Sequence, residues 1–177
     1  MECSVLIAGF GGQGVLSIGK MLCYAADGNG KKATFFPTYG GEQRGGTANC
    51  TVIISDEEIA SPVVRQADIV IVMNEPSFEK FKERVKPGGT MIINSSNVQS
   101  RPDRRDISAA LLPADEIALN AGNPKASNMA VLGAFLKVTS FLPEDQMEEA
   151  IRIQMAAKPQ FMDSNIQAFR KGVEIDL

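Results

Sequence analysis

The stretch Ala8-Gly9-Phe10-Gly11-Gly12-Gln13-Gly14-Val15 constrains this chain more than any other. It follows the apolar run Ser4 to Ala8 and precedes an amphipathic segment, so it reads as a strand, a glycine loop and the start of a helix. Gly9, Gly11 and Gly14 fall in the G-x-G-x-x-G spacing, with Gly12 as an addition. Residues without Cβ permit a tight turn and let a phosphate or another backbone approach the N–H groups at the positive helix end. The pattern is half of a dinucleotide fingerprint, because the full one has an acidic residue about 20 residues further on to hold a ribose hydroxyl. Here the second apolar run, Ala33 to Phe36, ends in Pro37-Thr38-Tyr39, where that carboxylate would stand. Three readings stay open at this point. The glycines only let the first helix pack closely on the sheet, or they serve a nicotinamide or flavin, or they receive a different anionic ligand or a partner segment.

The rest of the chain alternates between the strand and helix periods. Val15, Ile18, Leu22 and Ala25 recur at helical spacing, and Gly28-Asn29-Gly30 supplies a left-handed stop. Lys32 to Phe36, Cys50 to Ile54, Ile69 to Met73, Met91 to Ile93 and Ile107 to Leu112 read as strands, the third apolar enough to be buried on both faces. Asn74 is placed as the N-cap of a helix carrying Phe78, Phe81 and Val85, which Lys86-Pro87-Gly88-Gly89 ends; Asn94 to Asn97 is a polar tip that lines a cleft or caps the sheet. Ala114 to Ala121 forms a short helix, and Ser127 caps another whose Val131, Leu132, Phe135, Leu136 and Val138 cover more than one face. Such a helix is buried in the core or against another protein. Pro143-Glu144-Asp145 opens a further helix, and Ser164 to Lys171 closes the chain before Gly172. The implied fold is α/β: a Rossmann-like, doubly wound, mostly parallel sheet with helices on both faces and a helical C-terminal part, in one domain over residues 1–177.

Composition closes several reaction classes. With no histidine, Ser-His-Asp and Cys-His nucleophile systems and most catalytic metal sites are shut to the chain acting alone. Cys3, Cys23 and Cys50 form no C-x-x-C pair, so local spacing builds neither a zinc nor an iron–sulfur site, and free thiols in a reducing compartment follow. A net charge of −3 with interspersed signs argues against a nucleic-acid surface or a membrane patch. No apolar run approaches the ~18 residues of a membrane span. The expected location is cytoplasmic.

A second unusual stretch, Thr38-Tyr39-Gly40-Gly41-Glu42-Gln43-Arg44-Gly45-Gly46-Thr47-Ala48-Asn49, is poor sequence for any regular element and suits a loop at the carboxyl end of the second strand, where open α/β sheets bind ligands. Arg44 offers a planar fork for phosphate or carboxylate and Tyr39 a stacking face, while the plain alternative is a solvated loop with ordinary charges. Together with the first glycine stretch, with Ile53-Ile54-Ser55-Asp56-Glu57-Glu58-Ile59, and with Asn123-Pro124 to Leu132 including Asn128-Met129, this segment resembles the gamma subunit of 2-oxoacid:ferredoxin oxidoreductases.

The resemblance implies a subunit without turnover of its own, in a complex that oxidatively decarboxylates a 2-oxoacid to an acyl-coenzyme A. Thiamine diphosphate, magnesium and iron–sulfur clusters would lie in partner subunits, and electrons would pass to ferredoxin. The partners implied are alpha, beta and ferredoxin-like delta subunits, with a homodimer open to the isolated chain and neither nucleic acid nor membrane involved. No cofactor would be bound by this chain alone. The chain would help to form the coenzyme A side of the active centre, with contacts from Gly9, Gly11, Gly12, Gln13, Gly14, Tyr39, Gly40, Gly41, Glu42, Arg44, Gly45, Gly46, Asn49 and Asn128. No catalytic residue and no metal ligand is assigned. The wording of the Glu42 to Cys50 motif favours 2-oxoglutarate or a branched-chain 2-oxoacid over pyruvate. The rival of a different class is a free-standing nucleotide-binding Rossmann-like protein, against which stands the missing acid after Phe36.

Overall fold

The computed structural model describes residues 1–39 and 46–176, with Tyr39 described only by its place in a strand. The order of elements is β1 (Glu2–Phe10), α1 (Val15–Gly28), β2 (Lys32–Tyr39), β3 (Thr47–Ser55), β4 (Ala67–Val72), α2 (Glu75–Phe81), β5 (Val85–Asn94), β6 (Ser108–Leu112), α3 (Ala114–Asn120), α4 (Ser127–Thr139), α5 (Glu144–Met155) and α6 (Met162–Glu174). One six-stranded sheet carries the strands in the order β2-β3-β1-β4-β5-β6. β3 pairs antiparallel with both β1 and β2, whereas β1, β4, β5 and β6 pair in parallel. β1 and β2 therefore run the same way, as a crossover through α1 demands, but β3 lies between them.

That insertion corrects the reading of Thr38 to Asn49 as a loop. β2 continues through Pro37 to Tyr39 and β3 has begun by Thr47, with Thr38 paired to Asn49 and Tyr39 to Ala48. Pro37 is tolerated because β2 is an edge strand, where a missing N–H leaves no ladder partner stranded. Glycine-rich composition concealed a pairing whose hydrogen bonds are backbone to backbone and need no particular side chain.

Alternation along the strands assembles two apolar layers. Val5, Ile7, Cys50, Val52, Ile69, Ile71 and Ile92 face the layer built with α1, α3, α4, α5 and α6, while Leu6, Ala8, Val70, Val72, Met91 and Ile93 face one built with Phe78 and Phe81 of α2. Helices thus cover both faces, unequally. α4 is buried from Asn128 to Leu136 and is the central helix of the thicker layer, between the sheet and α6.

The α4–α6 approach is set by glycine. A Cβ at Gly172 would stand 2.8 Å from the carbonyl carbon of Ala130, and one at Gly133 would stand 2.7 Å from the amide nitrogen of Val173. Gly172 consequently sits inside α6 rather than after it, a correction to the end expected at Lys171. Lys86-Pro87-Gly88-Gly89 is likewise part of β5 and not a helix stop. α2 ends at Phe81, a 3-10 turn spans Lys82–Arg84, and Gly88, with φ of 79°, lies beside the register shift between Ala67 and Ile69. Among the described residues no helix is long and apolar enough to cross a membrane.

Candidate functional site

The glycine loop lies where β1 and β4 end, and its residues divide into packers, braces and open backbone. Gly9 is buried in β1, and a Cβ there would fall within 2.9 Å of Gln13 Oε1, Val15 Cγ2 and Met73 Cβ. It is a packing glycine. Gly11 and Gly12 are exposed, and Gly12 takes φ of 94°, which an L side chain rarely adopts. The Gly11 N–H donates to the Gly46 carbonyl at 3.1 Å, so the two glycine stretches of the sequence meet in space.

Gln13 is the brace. Its Oε1 accepts from the Phe10 N–H at 2.7 Å and from Asn74 Nδ2 at 2.8 Å, and its Nε2 donates to the Met73 carbonyl at 3.2 Å. Asn74 in turn accepts the Ser77 N–H at 2.9 Å, confirming it as the cap of α2. Gln13 was named for a ligand contact, yet both ends of its amide are engaged in fixing the loop to β4. The Gln13–Asn74 bond joins positions 61 residues apart, so no local pattern could announce it.

Beyond the brace, Gly14 with φ of 75° is the N-cap of α1 and provides no side-chain hydrogen bond. Directly against it lies Asn128, whose Cγ would be 2.7 Å from a Cβ at Gly14. Asn128 belongs to the first turn of α4, whose cap is Ala126 rather than the expected Ser127 and also makes no side-chain bond. Neither α1 nor α4 has an acid in its first turn, whereas α2, α3, α5 and α6 each do. Two positive helix ends therefore converge at one contact.

Other named residues are not gathered there. Asn49 pairs with Ala8, which faces the α2 layer, so it lies across the sheet from Asn128. Gly40, Gly41, Glu42, Arg44 and Gly45 lie outside the described residues, as does the side chain of Tyr39. The tip at Asn94 is a latch and not a cleft wall. Asn94 Nδ2 and Asn97 Nδ2 donate to the Asp115 carboxylate at 3.0 and 2.7 Å, and Asn94 Oδ1 accepts the Ala114 N–H at 3.1 Å.

No nucleophile is prepared at this site. Burial pushes Cys3 and Cys50 up to about 12 and Cys23 up to about 11, so all three thiols stay protonated and inert at neutral pH. Among the described residues no group of three histidine, cysteine, aspartate or glutamate side chains could hold a metal. What the arrangement offers is hydrogen-bond donors and positive helix ends, which suits the binding of an anion and not the making of bonds.

The pattern of the family described as pyruvate ferredoxin/flavodoxin oxidoreductase matches residues 4–175. Ketoisovalerate oxidoreductase subunit VorA of Methanothermobacter thermautotrophicus is 38% identical over 174 residues, which is 98% of this chain and 36% of that protein. The chain thus spans about a third of that relative. 2-Oxoglutarate synthase subunit KorC of Methanothermobacter marburgensis is 35% identical over 182 residues, covering 99% of this chain and 97% of that protein. Among solved structures, the gamma subunit of a keto/oxoacid ferredoxin oxidoreductase from Geobacter sulfurreducens superposes with a TM-score of 0.88 at 26% identity, over 98% of this chain and 95% of that one.

Proposed function

The chain belongs to the pyruvate ferredoxin/flavodoxin oxidoreductase family, and from that premise we propose that it is a gamma subunit of a thiamine-dependent 2-oxoacid:ferredoxin oxidoreductase, placed on the coenzyme A side of the active centre. The observation that carries this reading is the exposed backbone of Gly12, in the left-handed region, beside two helix starts without a side-chain cap, with no nucleophile, no metal cluster and no acid for a ribose among the described residues. Such a site receives a phosphate-bearing molecule and leaves the chemistry to others. Thiamine, clusters and electron transfer then belong to partner subunits. Membership alone leaves the oxoacid open, since relatives named for ketoisovalerate and for 2-oxoglutarate stand at similar identity. A branched-chain acid or 2-oxoglutarate is the proposed class.

The test uses the reconstituted complex. Gly11 has no left-handed backbone, and among the described residues a Cβ there would meet only the Gly46 carbonyl at 3.9 Å, so Gly11→Asp adds a carboxylate to the loop with little strain. The Michaelis constant for coenzyme A should rise roughly tenfold or more, as expected for one opposed charge-assisted contact, with the constant for the oxoacid unchanged. Unchanged coenzyme A dependence would remove the loop from the cofactor's path.

A further inference from the structure

We infer that β6 is a pairing edge for a second copy of this chain, the two β6 strands running antiparallel about a two-fold axis at Ala110 and joining two six-stranded sheets into one. The sheet ends in two edge strands, β2 and β6, and their free backbones are guarded differently. An edge presents a row of unpaired N–H and C=O groups to any passing strand, and charge or proline on it discourages the approach. β2 carries both, in Lys32 and Pro37, and Lys32 is exposed. β6, Ser108-Ala109-Ala110-Leu111-Leu112, carries neither, and its Ser108 and Ala109 are exposed.

Register fixes which groups point outward. Along a parallel pair, alternate residues turn both N–H and C=O toward the neighbouring strand, and the residues between them turn theirs away. The Leu112 carbonyl accepts the Ser95 N–H at 2.8 Å, with Leu112 opposite Asn94, so Leu112, Ala110 and Ser108 face β5. Ala109 and Leu111 therefore face away from the sheet, and no turn or loop backbone among the described residues meets them. They flank Ala110 symmetrically. In an antiparallel pair centred there, the Ala109 N–H of one copy donates to the Leu111 carbonyl of the second, the Leu111 N–H donates to the Ala109 carbonyl, and the two-fold axis repeats both bonds.

Charge selects a second copy over an unrelated strand. Antiparallel register carries the amino end of one β6 to the carboxyl end of the other. Before β6, Asp106 is taken by Arg104 at 2.6 Å, and Arg105 is exposed. After β6, Asp115 is taken by Asn94 and Asn97, and Glu116 in the first turn of α3 is exposed. Neither Arg105 nor Glu116 belongs to an ion pair among the described residues. Each copy thus brings a free cation toward the end where the other has a free anion. A strand of 5 residues buries far less than the ~1,200 Å² of a standard interface, so the pairing is weak and reversible. β4 and β5 separate it from β1 and the glycine loop, so it stands or falls apart from the coenzyme A reading.

Sedimentation equilibrium of the full 177-residue chain, from about 10 µM to about 2 mM, should show a monomer–dimer equilibrium with a dissociation constant of roughly 500 µM or tighter. The mass of one chain throughout that range overturns the proposal. Ala109→Pro removes an outward N–H and none that faces β5, so the melting temperature should hold while the dimer disappears. A folded proline variant that dimerises like the parent overturns it as well. Arg105→Glu should weaken the dimer roughly threefold or more, since both exposed pairs are lost, and adding Glu116→Arg should restore it. Both of these substitutions lie outside β6 and leave the strand intact. A double variant no tighter than the single one excludes the two-fold register. If the chain stays monomeric and Ala109→Pro instead weakens its assembly with the other subunits of the reconstituted complex, the edge receives a strand of another subunit and the second copy is excluded.

Discussion

Two polar clusters sit at opposite ends of the same sheet, and they are built on opposite rules. At the amino end, Asp68 Oδ2 accepts the Ser4 hydroxyl at 2.6 Å and the Ser4 N–H at 2.8 Å, while Lys86 Nζ donates to Asp68 Oδ1 at 2.9 Å and to Ser4 Oγ at 3.3 Å. Donors and acceptors there answer one another across β1, β4 and β5. At the carboxyl end, Gln13 with Asn74 and Asn94 and Asn97 with Asp115 are matched in this way, but the starts of α1 and α4 have no side-chain cap. Unpaired polar groups destabilise a fold, so a cluster that closes on itself serves stability, whereas helix starts without a side-chain cap add nothing to it.

Experiments can break that contrast, beginning with the largest expected effect. Gly172→Ala drives a methyl into the Ala130 backbone and must push α4 and α6 apart. Overpacking of this kind costs about 3 kcal/mol, or roughly 6 to 12 °C in melting temperature for a domain of this size. A loss under about 1 kcal/mol would mean that the two helices can separate freely, and the start of α4 would then lack a rigid support.

Disabling the closed cluster should be milder. Asp68→Ala removes the acceptor of Ser4 and Lys86, at a cost of about 1 to 2 kcal/mol, kept low because the carboxylate is partly in water. Its pH dependence follows from the direction of its shift. Burial pushes the Asp68 carboxyl up, but the Ser4 hydroxyl, the Lys86 ammonium and the Ser4 N–H together hold it below its ordinary 3.8. A carboxyl lowered by folding adds stability that is present above the unfolded value and is lost as pH falls through the folded one. Denaturant midpoints of parent and variant should therefore differ at pH 7 and converge below about pH 4. A gap that stays constant into acid would mean that charge plays no part in the clasp.

The smallest effect is expected at an exposed pair that belongs to neither cluster. Lys171 and Glu174 lie 2.9 Å apart with side chains 68% and 64% exposed. Lys171→Gln should change stability by less than about 0.5 kcal/mol and leave ligand binding alone. A larger loss would show that surface charge, and not the clusters, dominates the polar contribution to the fold.

The sequence by itself determined the periodicities and therefore the elements. Strand alternation and helix stripes depend on neighbours two to four residues away, so the α/β class, the glycine turn after β1, the capping of α2 by Asn74 and the burial of α4 were all legible. The family was legible too, because its two glycine stretches are local words. Only the tertiary structure decided what depends on distant partners. β3 enters between β1 and β2 through backbone ladders that leave little mark on side chains, and Gln13 becomes a brace through Asn74, 61 residues away. Asn49 and Asn128 could be named together from the sequence but fall on opposite faces of the sheet, because strand register fixes which way a residue points. The meeting of α1 and α4 has the same origin. A missing cap can be read from either helix alone, but that the two gaps face each other is settled by Gly14, whose lack of a Cβ admits the Asn128 side chain, while Gly133 and Gly172 bring α4 and α6 within backbone reach.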